Sequence, residues 1–171
     1  MYAELLVLRL VHILSAILWL GSGLFTTFFL IPALAGSPAV AGQVMAGLQR
    51  RRFFAILPTV ALLTILTGLR LLWIDSAGFA GSYFDTATGK TFANAGLLAI
   101  IAFLLSVFVS RPSALRAGAI AASLPATPAG PERERLQAEL ERLRRRATVA
   151  AMLGVGLGIL AASGMAVARY L

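Results

Sequence analysis

Several residue types on which catalytic and metal-binding proteins rely are scarce in this chain of 171 residues. Cysteine is absent, histidine occurs once, and charged residues make up only 13% of the sequence. Without cysteine there is no disulfide, iron–sulfur cluster, thiolate metal site or cysteine nucleophile. The apolar stretches contain no carboxylate, and no phosphate-binding loop, zinc-protease helix or Ser–His–Asp set is visible. These absences favour a protein that is not an enzyme.

Hydrophobic residues, in contrast, make up 59% of the chain and are gathered into four long blocks. A hydrocarbon core about 30 Å thick needs roughly 20 apolar residues per helix, and each block supplies them. We therefore predict an all-α, polytopic membrane four-helix bundle with up-down-up-down topology and a single membrane domain covering residues 1–171. The four helices are predicted at about 5–34, 53–74, 92–110 and 147–170.

Two amphipathic segments are predicted outside the apolar blocks, at about 38–49 and 132–146. The second follows a proline-rich linker at 125–131, and nothing separates it from helix four, so it predicts a long cytoplasmic extension of that helix. Leu136, Leu140 and Leu143 form an apolar stripe along it. Because such a stripe is buried against something in most proteins, we expect it to contact a protein partner.

The basic residues are distributed unevenly around the apolar blocks. Eleven of the 15 Lys and Arg residues lie in the connections after the first and third blocks. The positive-inside rule therefore predicts that both connections are cytoplasmic and both termini periplasmic, in a bacterial inner membrane. The same rule accounts for the net charge of +8, so nucleic acid is not an expected partner. The first apolar run exceeds the roughly 7–15 residues of a signal peptide, and we expect it to be retained.

The most distinctive local pattern lies in helix one, where His12 is followed by Trp19 and Gly21. An opening helix with this pattern resembles the CopD-like and HemJ-like small bacterial membrane proteins. The resemblance implies a haem-associated redox protein, since the HemJ-like members are haem-binding protoporphyrinogen oxidases. It also implies that His12 is the iron ligand, with Lys90 as a loose counterpart of a lysine in that family.

This chain departs from the family pattern after the glycine, where the Pro-Arg of the family is Pro32-Ala33. Since no second histidine exists, a haem b with two histidine ligands from one chain is excluded. Met165 is expected at a depth similar to that of His12, so a His/Met axial pair is one alternative and a homodimer with two copies of His12 is another. The remaining alternatives are a histidine that hydrogen-bonds a neighbouring helix, or one that handles protons.

Three arginines lie just inside the apolar blocks at the end of the bundle opposite the basic connections: Arg9, Arg70 and Arg169. A charge at this depth is costly unless it is paired or reaches the headgroups. Glu4, Asp75 and the terminal carboxylate are their expected local partners. Together the arginines predict either a basic collar for an anion, such as a lipid phosphate, a haem propionate or a quinone headgroup, or side chains that extend to phospholipid headgroups.

Small residues form a face on helix four, with Gly154 and Gly158 at the spacing that allows close approach of another helix, and Ala162 following. We expect this face to pack inside the bundle or, alternatively, at an oligomer interface.

Three functions remain open from the sequence. The favoured hypothesis is a non-catalytic subunit or scaffold of a membrane assembly, which requires a protein partner or a second copy of the chain besides the lipid bilayer. The alternatives are a haem-associated redox protein of the CopD/HemJ-like type and a small lipid-binding or permease-like protein.

Overall fold

The computed structural model describes residues 2–171, apart from the side chain of Pro38, and these residues form helices joined by short connections with no β-strand. The all-α prediction is therefore confirmed. We number the helices in chain order, counting helical segments that continue into one another as one helix. They are α1 (Tyr2–Leu34), α2 (Pro38–Arg50), α3 (Phe53–Asp75), α4 (Gly81–Asp85), α5 (Ala87–Ala126) and α6 (Pro131–Tyr170).

Four of these helices, α1, α3, α5 and α6, are long and apolar enough to cross a membrane. The shortest, α3, has 23 residues, which at 1.5 Å per residue is about 35 Å and exceeds the hydrocarbon thickness of about 30 Å. The chain is thus an integral membrane protein, and its outward-facing leucine, isoleucine and phenylalanine side chains contact lipid. We call the end of the bundle that carries α2 and the α5–α6 connection the arginine-rich end, and the opposite end the His12 end.

The bundle consists of two tightly packed helical hairpins, α1–α3 and α5–α6, which contact each other less closely. Hydroxyl side chains hold the first hairpin together: Thr64 Oγ1 of α3 donates to Ser15 Oγ of α1 at 2.9 Å, and both residues are buried. The second hairpin is held by small residues, including the buried Ala95, Ala102 and Ala161. Both are common solutions in lipid, where no hydrophobic force drives helices together and close packing or hydrogen bonds must do so.

A wide π-helical turn interrupts α1 at Thr26–Leu30 and α5 at Ser106–Ser110, and a proline follows two residues after each turn, Pro32 and Pro112. Proline has no amide hydrogen, and its ring crowds the carbonyl four residues earlier, so the helix widens there instead of keeping its regular hydrogen bonds. The two turns occupy equivalent positions in the first helix of each hairpin, near the arginine-rich end.

Helix α5 begins earlier than the sequence suggested, whereas its continuation beyond Pro112 agrees with the kinked helical extension that the sequence favours at 113–124. It starts at Ala87 rather than near Phe92 because Thr86 caps it, with the Thr86 hydroxyl accepting a hydrogen bond from the amide of Gly89 at 3.0 Å. It also continues past Pro112 to Ala126. The predicted loop between α3 and α5 contains the short helix α4.

The extension of α5 packs against the start of α6 and forms a small core of its own at the arginine-rich end. Ala117 and Ile120 of α5 meet Leu140 and Leu143 of α6, and all four are buried, with Leu136 partly buried beside them. The apolar stripe therefore has its partner within the chain. The expectation that it binds another protein is corrected, because sequence patterning shows that a face must be covered but not what covers it.

Candidate functional site

A cavity of about 600 Å³ runs between the two hairpins. All four long helices line it, mostly with apolar side chains, and this volume lies within the range of about 300–1,000 Å³ that is usual for small-molecule sites. The lining extends on α1 from Arg9 to Ile31, a rise of about 33 Å at 1.5 Å per residue. The cavity therefore follows the bundle through the full thickness of the hydrocarbon core.

His12 lies in the wall of this cavity, half-buried against α3. Its Nδ1 lies 2.8 Å from the carbonyl oxygen of Thr64 and 3.3 Å from Oγ1 of Thr67. A carbonyl oxygen can only accept, so Nδ1 is the nitrogen that carries the hydrogen. In the neutral ring the lone pair is then on Nε2, which forms no hydrogen bond with any of residues 2–171.

Gly68 of α3 makes this position of the imidazole ring possible. A Cβ atom at Gly68 would lie 2.8 Å from Cε1 of His12 and 3.2 Å from Nδ1. Because the Nδ1–Thr64 hydrogen bond holds the ring close to the α3 backbone, only glycine fits at this point. In the sequence Gly68 is visible only as an interruption of an apolar helix, and its role depends on a contact between residues 56 positions apart, which no local pattern reveals.

The predicted glycine face of α6 divides between two neighbouring helices. A Cβ at Gly158 would lie 2.8 Å from Cδ1 of Leu20 in α1, whereas one at Gly154 would lie 3.6 Å from the backbone oxygen of Ala102 in α5. Both glycines therefore pack inside the chain. Ala162 is exposed and lines the cavity.

At this level of α6 the buried alanine is Ala161, not the predicted Ala162. Sequence reasoning also missed Gly164, where a Cβ would lie 3.2 Å from Cβ of Ala95 in α5. Gly164 lies two residues after Ala162 and outside the four-residue spacing of the predicted face, so the sequence did not indicate this contact.

The three arginines at the His12 end do not form one collar. Arg70 pairs with Glu4, with Nη2 at 2.6 Å and Nε at 3.1 Å from the same carboxylate oxygen, and its guanidinium lies 4.5 Å above the ring of Trp73. Glu4 was expected to pair with Arg9, its near neighbour in sequence, and Arg70 with Asp75. The pairing between α1 and α3 replaces both, because antiparallel helices bring the start of α1 beside the end of α3.

Arg9 and Arg169 remain at the mouth of the cavity, one from each hairpin, together with Asp75. Both arginines are exposed, and neither forms a salt bridge with any carboxylate of residues 2–171. Met165 lines the same cavity one turn below Arg169, as His12 does below Arg9. The structure thus brings four of the five residues predicted for cofactor binding to one cavity and directs the fifth, Arg70, elsewhere.

The opposite end of the cavity is lined by polar groups that the two π-helical turns supply. Thr26, Ser106 and Ser110 line it there, and Ser110 Oγ donates to the carbonyl of Ala147 at 3.2 Å. Arg111 also reaches this end and donates from Nε to the carbonyl of Phe54 at 3.0 Å. The site is therefore an apolar channel with polar groups at both ends.

Lys90, the loose counterpart of a family lysine, is exposed and does not line this cavity. Across residues 2–171 no cluster of three or more His, Asp or Glu side chains is arranged to hold a metal ion. No protein-family model, curated protein or solved structure matches this chain.

Proposed function

We propose that this integral membrane protein binds an amphipathic small molecule in the cavity between its two hairpins, which develops the lipid-binding alternative. The observation that carries this proposal is the cavity itself, with apolar walls from all four membrane-spanning helices and polar groups at its ends. Ligand sites typically combine such walls with a few polar groups that fix the orientation of the bound molecule.

The shape of the lining supports a ligand with a long apolar body. The cavity lining continues for about 33 Å along α1, and a small polar metabolite would leave most of this surface uncovered. A chain-bearing molecule covers it and also has direct access, because the hairpins contact each other loosely and the molecule can enter from the bilayer. The walls include Trp19, Gly96 and Ala99.

For the orientation, we propose that the arginine-rich end is cytoplasmic and the His12 end periplasmic, in a bacterial inner membrane. Eleven of the 15 basic residues lie at the arginine-rich end, which supports this orientation by the positive-inside rule. A ligand head bound at the His12 end would then face the periplasm.

The scaffold hypothesis favoured by the sequence loses its main support, because the apolar stripe at Leu136, Leu140 and Leu143 is covered within the chain. A ligand-binding protein needs no such stripe on its surface. A partner subunit or a second copy of the chain would instead have to contact the lipid-facing sides of the helices.

A second candidate function, haem binding, is supported by one specific observation at His12. Histidines that ligate metals usually donate from the other ring nitrogen to a carbonyl or carboxylate, and the 2.8 Å contact between Nδ1 and the Thr64 carbonyl has this form. His12 would ligate iron through Nε2 and Met165 would be the candidate second ligand, with haem supplying the electron-transfer chemistry. A Soret band in the mildly solubilised protein that disappears in His12→Ala would support this candidate, and a colourless protein after haem supplementation would exclude it.

Filling the cavity tests the main proposal. Gly96 lines the cavity, and a Cβ there would have no atom within 4 Å. Gly96→Phe should therefore insert a ring into the ligand space without disturbing helix packing. Gly156 is the matched control, because it also has open space around it but faces away from the cavity.

The experiment is quantitative mass spectrometry of organic extracts from the three purified proteins in mild detergent. We expect about one amphipathic molecule per chain in the unmodified protein and in Gly156→Phe, and none in Gly96→Phe. The same lipid content in all three proteins, or no bound molecule in any of them, would contradict the proposal.

A further inference from the structure

The charges at the mouth of the cavity define the chemical class of the ligand's head. We propose, on the basis of the function proposed above, that the ligand is a chain amphiphile with an anionic carboxylate or phosphate head, held between Arg9 and Arg169. The two arginines come from different hairpins, and both line the cavity at its His12 end.

The first step is that Arg70 is already neutralised. Its two hydrogen bonds to one oxygen of Glu4, at 2.6 and 3.1 Å, and its position over Trp73 satisfy the guanidinium without a ligand. Arg70 is also absent from the cavity lining. The His12 end therefore contains one arginine that serves as an internal control for the other two.

The second step is the charge balance at the mouth itself. Arg9 and Arg169 contribute two positive charges and Asp75 one negative charge, and neither arginine is in salt-bridge contact with a carboxylate of residues 2–171. A guanidinium at the edge of an apolar region is costly unless it is paired or reaches the headgroups. An anionic head placed there receives charge-assisted hydrogen bonds and removes this cost, whereas an uncharged head does not.

The depth of the two arginines determines where the head of the ligand lies relative to its apolar chain. Arg9 lies three residues before His12, and Arg169 lies four residues after Met165, so the arginines are roughly 4.5–6 Å nearer the membrane surface than His12 and Met165. A head at this level leaves the whole apolar wall free for the chain. One ligand with an anionic head and a long apolar chain therefore fits both the arginines and the apolar wall.

The test uses three probes with the same dibrominated stearyl chain and different heads: the carboxylate, the phosphate and the uncharged alcohol. Bromine quenches tryptophan fluorescence at short range, and Trp19 lines the cavity. Since the chain has two tryptophans, Trp73→Phe leaves Trp19 as the only reporter. The protein is reconstituted in phosphatidylcholine vesicles at pH 9, where the free carboxylate is ionised and arginine remains charged.

We expect at least one of the two anionic probes to bind at least about tenfold more tightly than the alcohol, a difference of about 1.4 kcal/mol. Arg9→Gln with Arg169→Gln should remove this preference and leave alcohol binding unchanged, and the matched control Arg70→Gln should keep it. The comparison of carboxylate with phosphate identifies which anionic head is preferred.

Two results would overturn the inference. The first is equal binding of all three probes to the protein with unmodified arginines, a measurement that does not depend on the folding of any arginine variant. Arginines that extend to bulk phospholipid headgroups would give this result. The second is a preference that survives in the double arginine variant. Either result leaves the chain-binding cavity in place, whereas failure of every probe to quench Trp19 beyond the level in Gly96→Phe would remove the proposed function as well.

Discussion

Placing a methyl group on Gly68 tests the wall of the cavity at a tightly packed point. In Gly68→Ala the new Cβ would lie 2.8 Å from Cε1 and 3.2 Å from Nδ1 of His12. The ring cannot stay in place at such a distance. To reach van der Waals contact distance the imidazole ring must move away from α3. This movement stretches the 2.8 Å hydrogen bond from Nδ1 to the Thr64 carbonyl.

The expected cost follows from three contributions. Overpacking costs about 1–3 kcal/mol, and loss of a hydrogen bond between membrane helices costs about 0.6 kcal/mol on average and up to about 1.7. Replacing glycine by alanine within a helix stabilises the folded state by about 1 kcal/mol. Gly68→Ala should therefore destabilise the protein by about 0.6–3.7 kcal/mol, while Gly96→Ala, which has open space in the same cavity, should be neutral or stabilising.

The assay is a double-mutant cycle with His12→Ala, measured by reversible unfolding in mixed micelles. Without the imidazole ring the Cβ at position 68 meets nothing, so Gly68→Ala should lose its cost in the His12→Ala background. The coupling between the two positions should be at least about 1 kcal/mol. Two results would refute a close contact between Gly68 and His12. The first is an equal free energy of unfolding for Gly68→Ala and Gly96→Ala, and the second is a loss of stability by Gly68→Ala that persists in the His12→Ala background.

Three further predictions concern the packing of the bundle. Gly158→Leu should lower stability in detergent by at least about 2 kcal/mol because it forces apart α6 and Leu20, whereas Gly156→Leu in open space should not; equal thermal unfolding of the two variants would contradict this contact. Leu143→Glu should destabilise the small core at the arginine-rich end by about 2–5 kcal/mol and open the α5–α6 connection to limited proteolysis; unchanged protease resistance would contradict it. Arg70→Gln should cost at most about 1 kcal/mol by mixed-micelle unfolding, since the ion pair is about half exposed; a loss above about 2 kcal/mol would show that the pair is part of a buried network.

The four membrane-spanning helices could be predicted from the sequence because lipid imposes a simple rule on every one of them. Length and apolar composition suffice, since backbone groups must be satisfied within each segment. Helix ends were harder to predict. Thr86 caps α5 six residues before the predicted start of the apolar block at Phe92, and Pro112 widens α5 without ending it.

The site could be predicted only in part, because its residues meet across the bundle. His12 and the two cavity arginines were visible as polar residues in apolar helices, where they are costly and so informative. Their partners were not visible, since Glu4 pairs with a residue 66 positions away and His12 with one 52 positions away. The apolar stripe at Leu140 failed as a partner surface for the same reason.

The occupancy of the cavity can be measured most directly by photo-crosslinking in a bilayer. A stearate carrying a diazirine in its chain is added at low mole fraction to the reconstituted protein, and the sample is illuminated. The positions of the adducts are then determined by peptide mass spectrometry. We expect adducts concentrated on cavity residues such as Trp19 and Ala99, and we expect excess unlabelled stearate to reduce them. Adducts confined to lipid-facing residues such as Leu14 and Leu153, and insensitive to competition, would contradict it.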